Sequence, residues 1–125
     1  MPPEVNVAII DGNAAWRFGH SESLSAQGHE VKAVASDISE AQKLIPQLGE
    51  LGVQVVLIDN NLSYWQGDKS EAEALTKAIK AASPDITVVG VTTDGVEIPG
   101  TDANLSKKEL AQGTVDLGEF VTNLK

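Results

Sequence analysis

The chain has 125 residues, contains no cysteine and carries a formal net charge of −9 at pH 7. The missing thiols exclude disulfides and thiolate metal sites, and the negative charge disfavours direct binding to nucleic acid or to an anionic membrane, because both attract basic patches. With 42% apolar residues, no signal-peptide pattern and no stretch long enough to span a bilayer, residues 1–125 are expected to form one cytoplasmic globular domain.

Five apolar runs rich in β-branched residues predict β-strands. The first, third and fourth runs are nearly continuous in Val, Ile and Leu, which is typical of parallel strands that are covered on both faces. The five runs are residues 5–10, 31–35, 53–58, 86–91 and 103–105.

Helical patterns separate the first four runs, and another follows the fifth. Residues 14–27 end at Gly28, which suits a helix C-terminus, and residues 38–51 follow Asp37, a candidate N-cap. Pro46 should kink or divide this second helix. The other two segments are residues 69–82 and an apolar stripe formed by Leu117, Phe120, Val121 and Leu124.

Alternating strands and helices predict a doubly wound α/β sandwich, whose functional crevice lies beyond the carboxyl ends of the strands. The runs lead into Asp11, Asp59, Thr92 and Lys107. Two carboxylates on adjacent strands repel each other unless a cation lies between them, and Mg²⁺ accepts such ligands together with phosphate oxygens. The residues alone leave two interpretations open: a metal-assisted phosphoryl site, or polar side chains that merely follow strands where the chain leaves the core.

Four motifs in chain order resemble those of response-regulator receiver domains. The segments Val7-Ala-Ile-Ile-Asp11-Gly-Asn and Val55-Val-Leu-Ile-Asp59-Asn-Asn resemble the acidic first strand and the phosphoacceptor strand of that family. Val88-Val-Gly-Val-Thr92 resembles the fourth strand, and Gly100-Thr-Asp-Ala-Asn-Leu-Ser-Lys107 resembles the approach to the family's lysine.

The resemblance implies a flavodoxin-like five-stranded parallel sheet with strand order 2-1-3-4-5, and a role for each motif residue. Asp59 would accept the phosphoryl group from a histidine kinase or phosphotransfer protein. Asp11, Asp59 and the backbone carbonyl of Asn61 would bind Mg²⁺. Lys107 would pair with the carboxylate and later with the phosphoryl group, and Thr92 would hydrogen-bond that group.

Three features depart from the family pattern. Gly12 stands where a second acid is usual, so Mg²⁺ binding should be weak, and Gly12 could instead serve a turn with positive φ. Asn104 replaces the aromatic residue that usually precedes the lysine by three positions. The short segment 94–102 contains Gly and Pro, which predicts a loop in place of the fourth helix and an output through another face.

Two functions therefore remain open. The first is a stand-alone receiver that acts through protein contacts with an unknown downstream protein and is not an enzyme beyond self-catalysed phosphoryl transfer and dephosphorylation. The alternative is a pseudo-receiver, an interaction module with weak or no phosphorylation. A flavin-binding protein of the same fold is poorly supported, because the turn after the first run lacks a hydroxyl-rich phosphate loop.

The remaining polar and aromatic residues receive plain structural assignments. His20 and His29 have no second ligand at metal spacing and are expected at the surface, as are Thr93 and Lys108. Trp16 and Trp65 are expected to pack on the domain.

Overall fold

The computed structural model describes residues 4–60, 62, 69–93 and 95–124. Five parallel strands form one sheet in the order β2-β1-β3-β4-β5, which confirms the predicted doubly wound topology. The strands are β1 (Asn6–Ile10), β2 (Glu30–Ala35), β3 (Val55–Asp59), β4 (Thr87–Thr92) and β5 (Ala103–Ser106).

The helices begin and end close to the predicted boundaries. Pro46 divides the second predicted helix, which ends at Leu44 and continues as a short 3-10 helix, Ile45–Gln47. No helix in the described part of the chain is both long and apolar enough to cross a membrane. The α-helices are α1 (Ala14–Ala26), α2 (Ile38–Leu44), α3 (Lys69–Ala82), α4 (Lys107–Ala111) and α5 (Leu117–Leu124).

The core consists of two apolar layers, one on each face of the sheet. On one face, strand residues such as Ile9 and Leu57 pack with Leu24 of α1 and Val121 of α5. On the other face, α2, the 3-10 helix and α3 cover the alternate strand residues, among them Ile58. Successive side chains of β1 and β3 point to opposite faces of the sheet, so a residue's position in the strand decides which group of helices its side chain packs against.

The segment between β4 and β5 contains no helix in its described residues 95–102, as the spacing predicts. Ile98 is buried in the layer shared with α3 and fills space beside β4. Asn104 accepts a hydrogen bond from Ile98 N (3.1 Å) and donates one to Thr101 Oγ1 (2.8 Å). A Cβ atom at Gly90 would overlap with the Asn104 side chain, so the loop conformation depends on a glycine in β4.

Helix α4 was not predicted. It begins at Lys107, directly after β5, and Ser106 caps it by accepting a hydrogen bond from Lys108 N (3.2 Å). A signal was present in the sequence, because Ser106 is followed three positions later by Glu109, the spacing of a capping box.

The expectation that His29 lies at the surface is wrong, since only 5% of it is exposed. Its Nδ1 accepts a hydrogen bond from Val5 N (3.0 Å), so the ring proton lies on Nε2 and can be donated to Thr122 Oγ1 (2.8 Å) or Gly118 O (3.1 Å). His29 thus joins the start of β1 to α5, a contact between residues far apart in the sequence that spacing alone does not reveal.

Gly118 is expected to be intolerant of a side chain, because α5 packs closely on α1 there. A Cβ atom at this position would overlap with the backbone oxygen of Ser23. We predict that Gly118→Ala lowers the free energy of unfolding by about 1–3 kcal/mol. Urea denaturation measures this, with Gly19→Ala on α1 as the control.

Gly19 has open space around it, so Gly19→Ala should leave stability unchanged or raise it by up to ~1 kcal/mol through helix propensity. Equal effects of the two substitutions would contradict the close contact between α1 and α5.

Candidate functional site

Two acidic residues lie side by side at the carboxyl edge of the sheet. Ile10 of β1 is opposite Ile58 of β3, so the next residues along the chain, Asp11 and Asp59, are neighbours. Both are almost completely buried, with exposed fractions of 2% and 0%. Close, buried carboxylates cannot both remain charged without a compensating positive group.

Lys107 supplies that positive group. Its Nζ lies 3.1 Å from Asp11 Oδ2 and 3.3 Å from Asp59 Oδ1, and only 5% of the residue is exposed. Thr92 of β4 is paired with Ser106 of β5, so Lys107 enters the edge one residue beyond the last pair of the sheet. The four predicted strand-end residues therefore gather at one edge, and three of them form one ionic cluster.

The Asp11 carboxylate is held from several sides. Its Oδ1 accepts a hydrogen bond from Asn13 N (2.8 Å), and its Oδ2 faces Lys107 and His20. Burial by itself raises the pKa of Asp11, but His20, the Asn13 N–H group and Lys107 together hold that pKa below its ordinary value of 3.8. Asp11 is therefore an anion at neutral pH.

Helix α1 contributes two side chains to the cluster that the sequence did not indicate. His20 is 3% exposed, so its expected surface position is wrong, and its Nε2 lies 3.7 Å from Asp11 Oδ2. That distance is too long for a direct hydrogen bond but short enough for an electrostatic contact. The Nζ atom of Lys107 lies 5.2 Å from the centroid of the Trp16 ring. The centroids of the Trp16 and His20 rings are 5.6 Å apart.

A hydroxyl group and an amide oxygen at this edge are buried without a hydrogen-bond partner among the described residues. They are the Thr92 hydroxyl and the Asn60 side-chain oxygen. Leaving such a group unsatisfied costs about 1–3 kcal/mol, so an arrangement of this kind in a native protein requires an explanation. A bound group with oxygen atoms could hydrogen-bond the Thr92 hydroxyl.

Other predictions on this edge have mixed outcomes. Asn61 and Trp65 lie outside the described residues, so the backbone carbonyl of Asn61 stays a predicted ligand. Thr93 and Lys108 are exposed, as expected. Gly12 is not among the glycines with positive φ, so the suggestion that it serves a left-handed turn is wrong.

The charged cluster suits a divalent cation and a phosphoryl group. Carboxylate oxygens are hard ligands of the kind that Mg²⁺ prefers. This ion takes one or two carboxylates and completes its coordination shell with water and phosphate oxygens. Among the described residues, no group of three or more His, Asp or Glu side chains is arranged to hold a metal. The residues present fit Mg²⁺ bound mainly by Asp11 and Asp59, a site with few protein ligands.

No protein-family model matches the sequence, and no curated protein matches it. Solved structures do match, and among them are receiver domains of response regulators. The signal receiver domain of the putative response regulator NarL from Mycobacterium tuberculosis aligns over 98% of this chain and 97% of its own, at 19% identity and a TM-score of 0.72. A CheY-like receiver domain from Methylobacillus flagellatus aligns over 98% and 100%, at 19% identity and a TM-score of 0.71.

The isolated RcsB receiver domain from Salmonella enterica serovar Typhimurium, solved with the phosphomimetic BeF3⁻, also matches. It is 24% identical over 73% of this chain and 63% of its own, with a TM-score of 0.59. The chain is thus a flavodoxin-like α/β domain. Its fold is that of the response-regulator receiver domains, which confirms the resemblance seen in the sequence at the level of the fold.

Lys107→Met is expected to destabilise the domain strongly, because it leaves two buried carboxylates without their cation. Removing one partner of a buried ion pair typically costs about 3–5 kcal/mol. Urea denaturation of Lys107→Met, with the exposed neighbour Lys108→Met as control, measures the effect.

The double variant Lys107→Met/Asp59→Asn should recover part of the loss, since one buried charge is removed with its partner. Additive losses in the double variant would mean that Lys107 and Asp59 do not interact.

Proposed function

We propose that this chain is a receiver domain that accepts a phosphoryl group on Asp59 from a histidine kinase or phosphotransfer protein. The observation that carries the proposal is the ammonium group of Lys107, which bridges the buried carboxylates of Asp11 and Asp59 at the carboxyl edge of the sheet. The fold supports it, since every solved structure named above is a receiver domain.

The proposed reaction transfers a phosphoryl group between two side chains. A carboxylate oxygen of Asp59 forms a bond to phosphorus while the P–N bond of the donor phosphohistidine breaks. The electron pair of that bond stays on the imidazole nitrogen, and the product on this chain is an acyl phosphate. Lys107 would stabilise the charge on the phosphoryl oxygens, and the buried Thr92 hydroxyl would gain an acceptor for its proton.

Asp11 and Asp59, together with the Asn61 carbonyl predicted from the family resemblance, would hold Mg²⁺, which supplies positive charge to the transferring phosphoryl oxygens. Gly12 offers no side chain to this ion. Asp11 is ready to bind a cation at neutral pH, because its neighbours keep it ionised. The expected affinity for Mg²⁺ is low, since Lys107 already contacts both carboxylates.

The output in this proposal is a protein contact, made in the cytoplasm and without enzymatic turnover of a separate substrate. The net charge of −9 favours protein partners with basic surfaces and disfavours direct contact with nucleic acid.

A pseudo-receiver is the second candidate, and a specific observation favours it. Asn104 stands where receivers usually have an aromatic residue, and its side chain is committed to Ile98 N and Thr101 Oγ1. An aromatic side chain that changes position in response to Thr92 is therefore lacking there. In that case the fold would serve binding alone.

Asp59→Asn is expected to fold and to lose phosphorylation. Lys107 keeps Asp11 as an ionic partner in this variant, so the cluster remains compensated. Intact mass spectrometry after treatment with acetyl phosphate should show one added phosphoryl group in the parent, only with Mg²⁺, and none in the variant.

Asp85→Asn, an exposed substitution just before β4 at the opposite edge of the sheet, is the matched control and should label like the parent. Undiminished labelling of Asp59→Asn would overturn the assignment of the acceptor. A parent that is not labelled at all would favour the pseudo-receiver.

Gly12→Asp is expected to tighten Mg²⁺ binding by about one to two decades, because it adds a carboxylate next to Asp11. The backbone at Gly12 does not have positive φ, so an aspartate is tolerated without that strain. A Mg²⁺ titration followed by NMR measures the affinity. Gln54→Glu is the control, since it adds the same charge just before β3, at the opposite end of that strand from Asp59.

Asp11 and Asp59 at the carboxyl edge of the sheet form what we call the acidic edge. Unchanged Mg²⁺ affinity in a folded Gly12→Asp variant would show that the acidic edge is not arranged around a cation.

A further inference from the structure

Lys107 has a third partner besides the two carboxylates. The Trp16 ring lies 5.2 Å from Nζ, within the range in which the ring face attracts a cation. Because the ammonium group is almost completely buried, this attraction is weakly screened by water. Trp16 therefore limits where the Lys107 ammonium can lie between Asp11 and Asp59.

Trp16 also contacts another side chain that faces Asp11. Its ring is 5.6 Å from that of His20, four residues later on α1, and His20 faces Asp11. Two side chains of the acidic edge thus meet the same indole ring. A change in the position of Lys107 or His20 therefore alters the surroundings of Trp16 directly.

The same indole ring borders a cavity of about 270 Å³ between α1 and the segment that joins α4 to α5. Its lining includes Ser23 of α1, together with Leu110, Val115 and Leu117. Gly19, also in the lining, leaves open space beside the ring. Trp16 therefore has room to shift, and a shift would change the packing between α1 and the start of α5.

On the other face of the sheet, the loop before β5 has less room to move than Trp16 has. There Asn104 holds the 95–102 loop through Ile98 and Thr101, and it lies against Gly90, where there is no space for a side chain. Asp102 further ties this loop to β4 by accepting a hydrogen bond from Val88 N (2.8 Å).

We propose that Trp16 is a positioning residue for Lys107, and that its ring transmits changes at the acidic edge to the cavity between α1 and the α4–α5 segment. The proposal deepens the function given above and depends on it for its role in signalling. The contact itself, however, exists without phosphorylation, so the two can be tested separately.

The first experiment compares ¹H–¹⁵N spectra and needs no phosphoryl donor. Asp59→Asn removes a charge on β3, and its effect on the amides of Ser23, Val115 and Leu117 is measured in three backgrounds: parent, Trp16→Leu and Phe18→Leu. Phe18 is the matched control, because it is an aromatic residue on α1 that is 69% exposed. We expect these amides to shift in the parent and in Phe18→Leu, and not in Trp16→Leu.

The second experiment measures the rate of labelling by acetyl phosphate and Mg²⁺. Trp16→Leu should slow it roughly 3- to 30-fold, the range expected when a buried cation–π contact is lost, and Trp16→Phe should recover part of the rate. A residue with only a packing role would give equal rates for the Leu and Phe variants. Thermal melts identify a variant that does not fold, and Trp16→Phe then serves in both experiments.

The outcomes separate the two proposals. Equal amide shifts with and without Trp16 would overturn the role of this residue, whatever the labelling result. Absence of labelling in the parent would overturn the proposed phosphorylation, while the amide shifts would still decide whether Trp16 couples the acidic edge to the cavity.

Discussion

The organisation of this domain depends on one buried ammonium group that compensates two buried carboxylates. Asp11 follows β1, Asp59 is the last residue of the adjacent strand β3, and neither is accessible enough for water to screen its charge. Lys107 must therefore reach both, and it does so only because β5 pairs with β4 in a register that places Ser106 opposite Thr92. The ionic cluster therefore forms only when β5 is paired with β4 in this register, because a buried carboxylate without its cation is strongly destabilising.

In the loop before β5, the described residues 95–102 hold that strand in position without forming a helix. Asp102 bonds to β4 through its backbone and its side chain, and its carboxylate also pairs with Lys80 of α3. Ile98 supplies the apolar group that covers this part of the sheet. A short crossover of this kind is feasible because Gly90 leaves room for Asn104, whose two hydrogen bonds fix the loop.

The sequence predicted the sheet, the lack of a helix in the described residues 95–102 between β4 and β5, and the strand-end residues. Each of these depends on local patterns: apolar runs, Gly and Pro, and polar residues after strands. It did not predict that His20 and His29 are buried, since their partners, Asp11 for one and Val5 and Gly118 for the other, come from different elements. The Trp16 contact with Lys107 was missed for the same reason, as the two are far apart in the sequence. Helix α4 was missed although Ser106 and Glu109 indicated it.

Strand alternation explains why the acidic edge is associated with α1. Continuing the alternation of β1 and β3, Asp11 and Asp59 have the parity of Ile9 and Leu57, whose layer packs on α1 and α5. Thr92 has the opposite parity, that of Val88, whose layer contains α3 and Ile98. A signal carried by Thr92 would therefore act on the side where the loop is held by hydrogen bonds. A signal carried by Lys107 would instead act on the side where Trp16 borders the cavity between α1 and the α4–α5 segment.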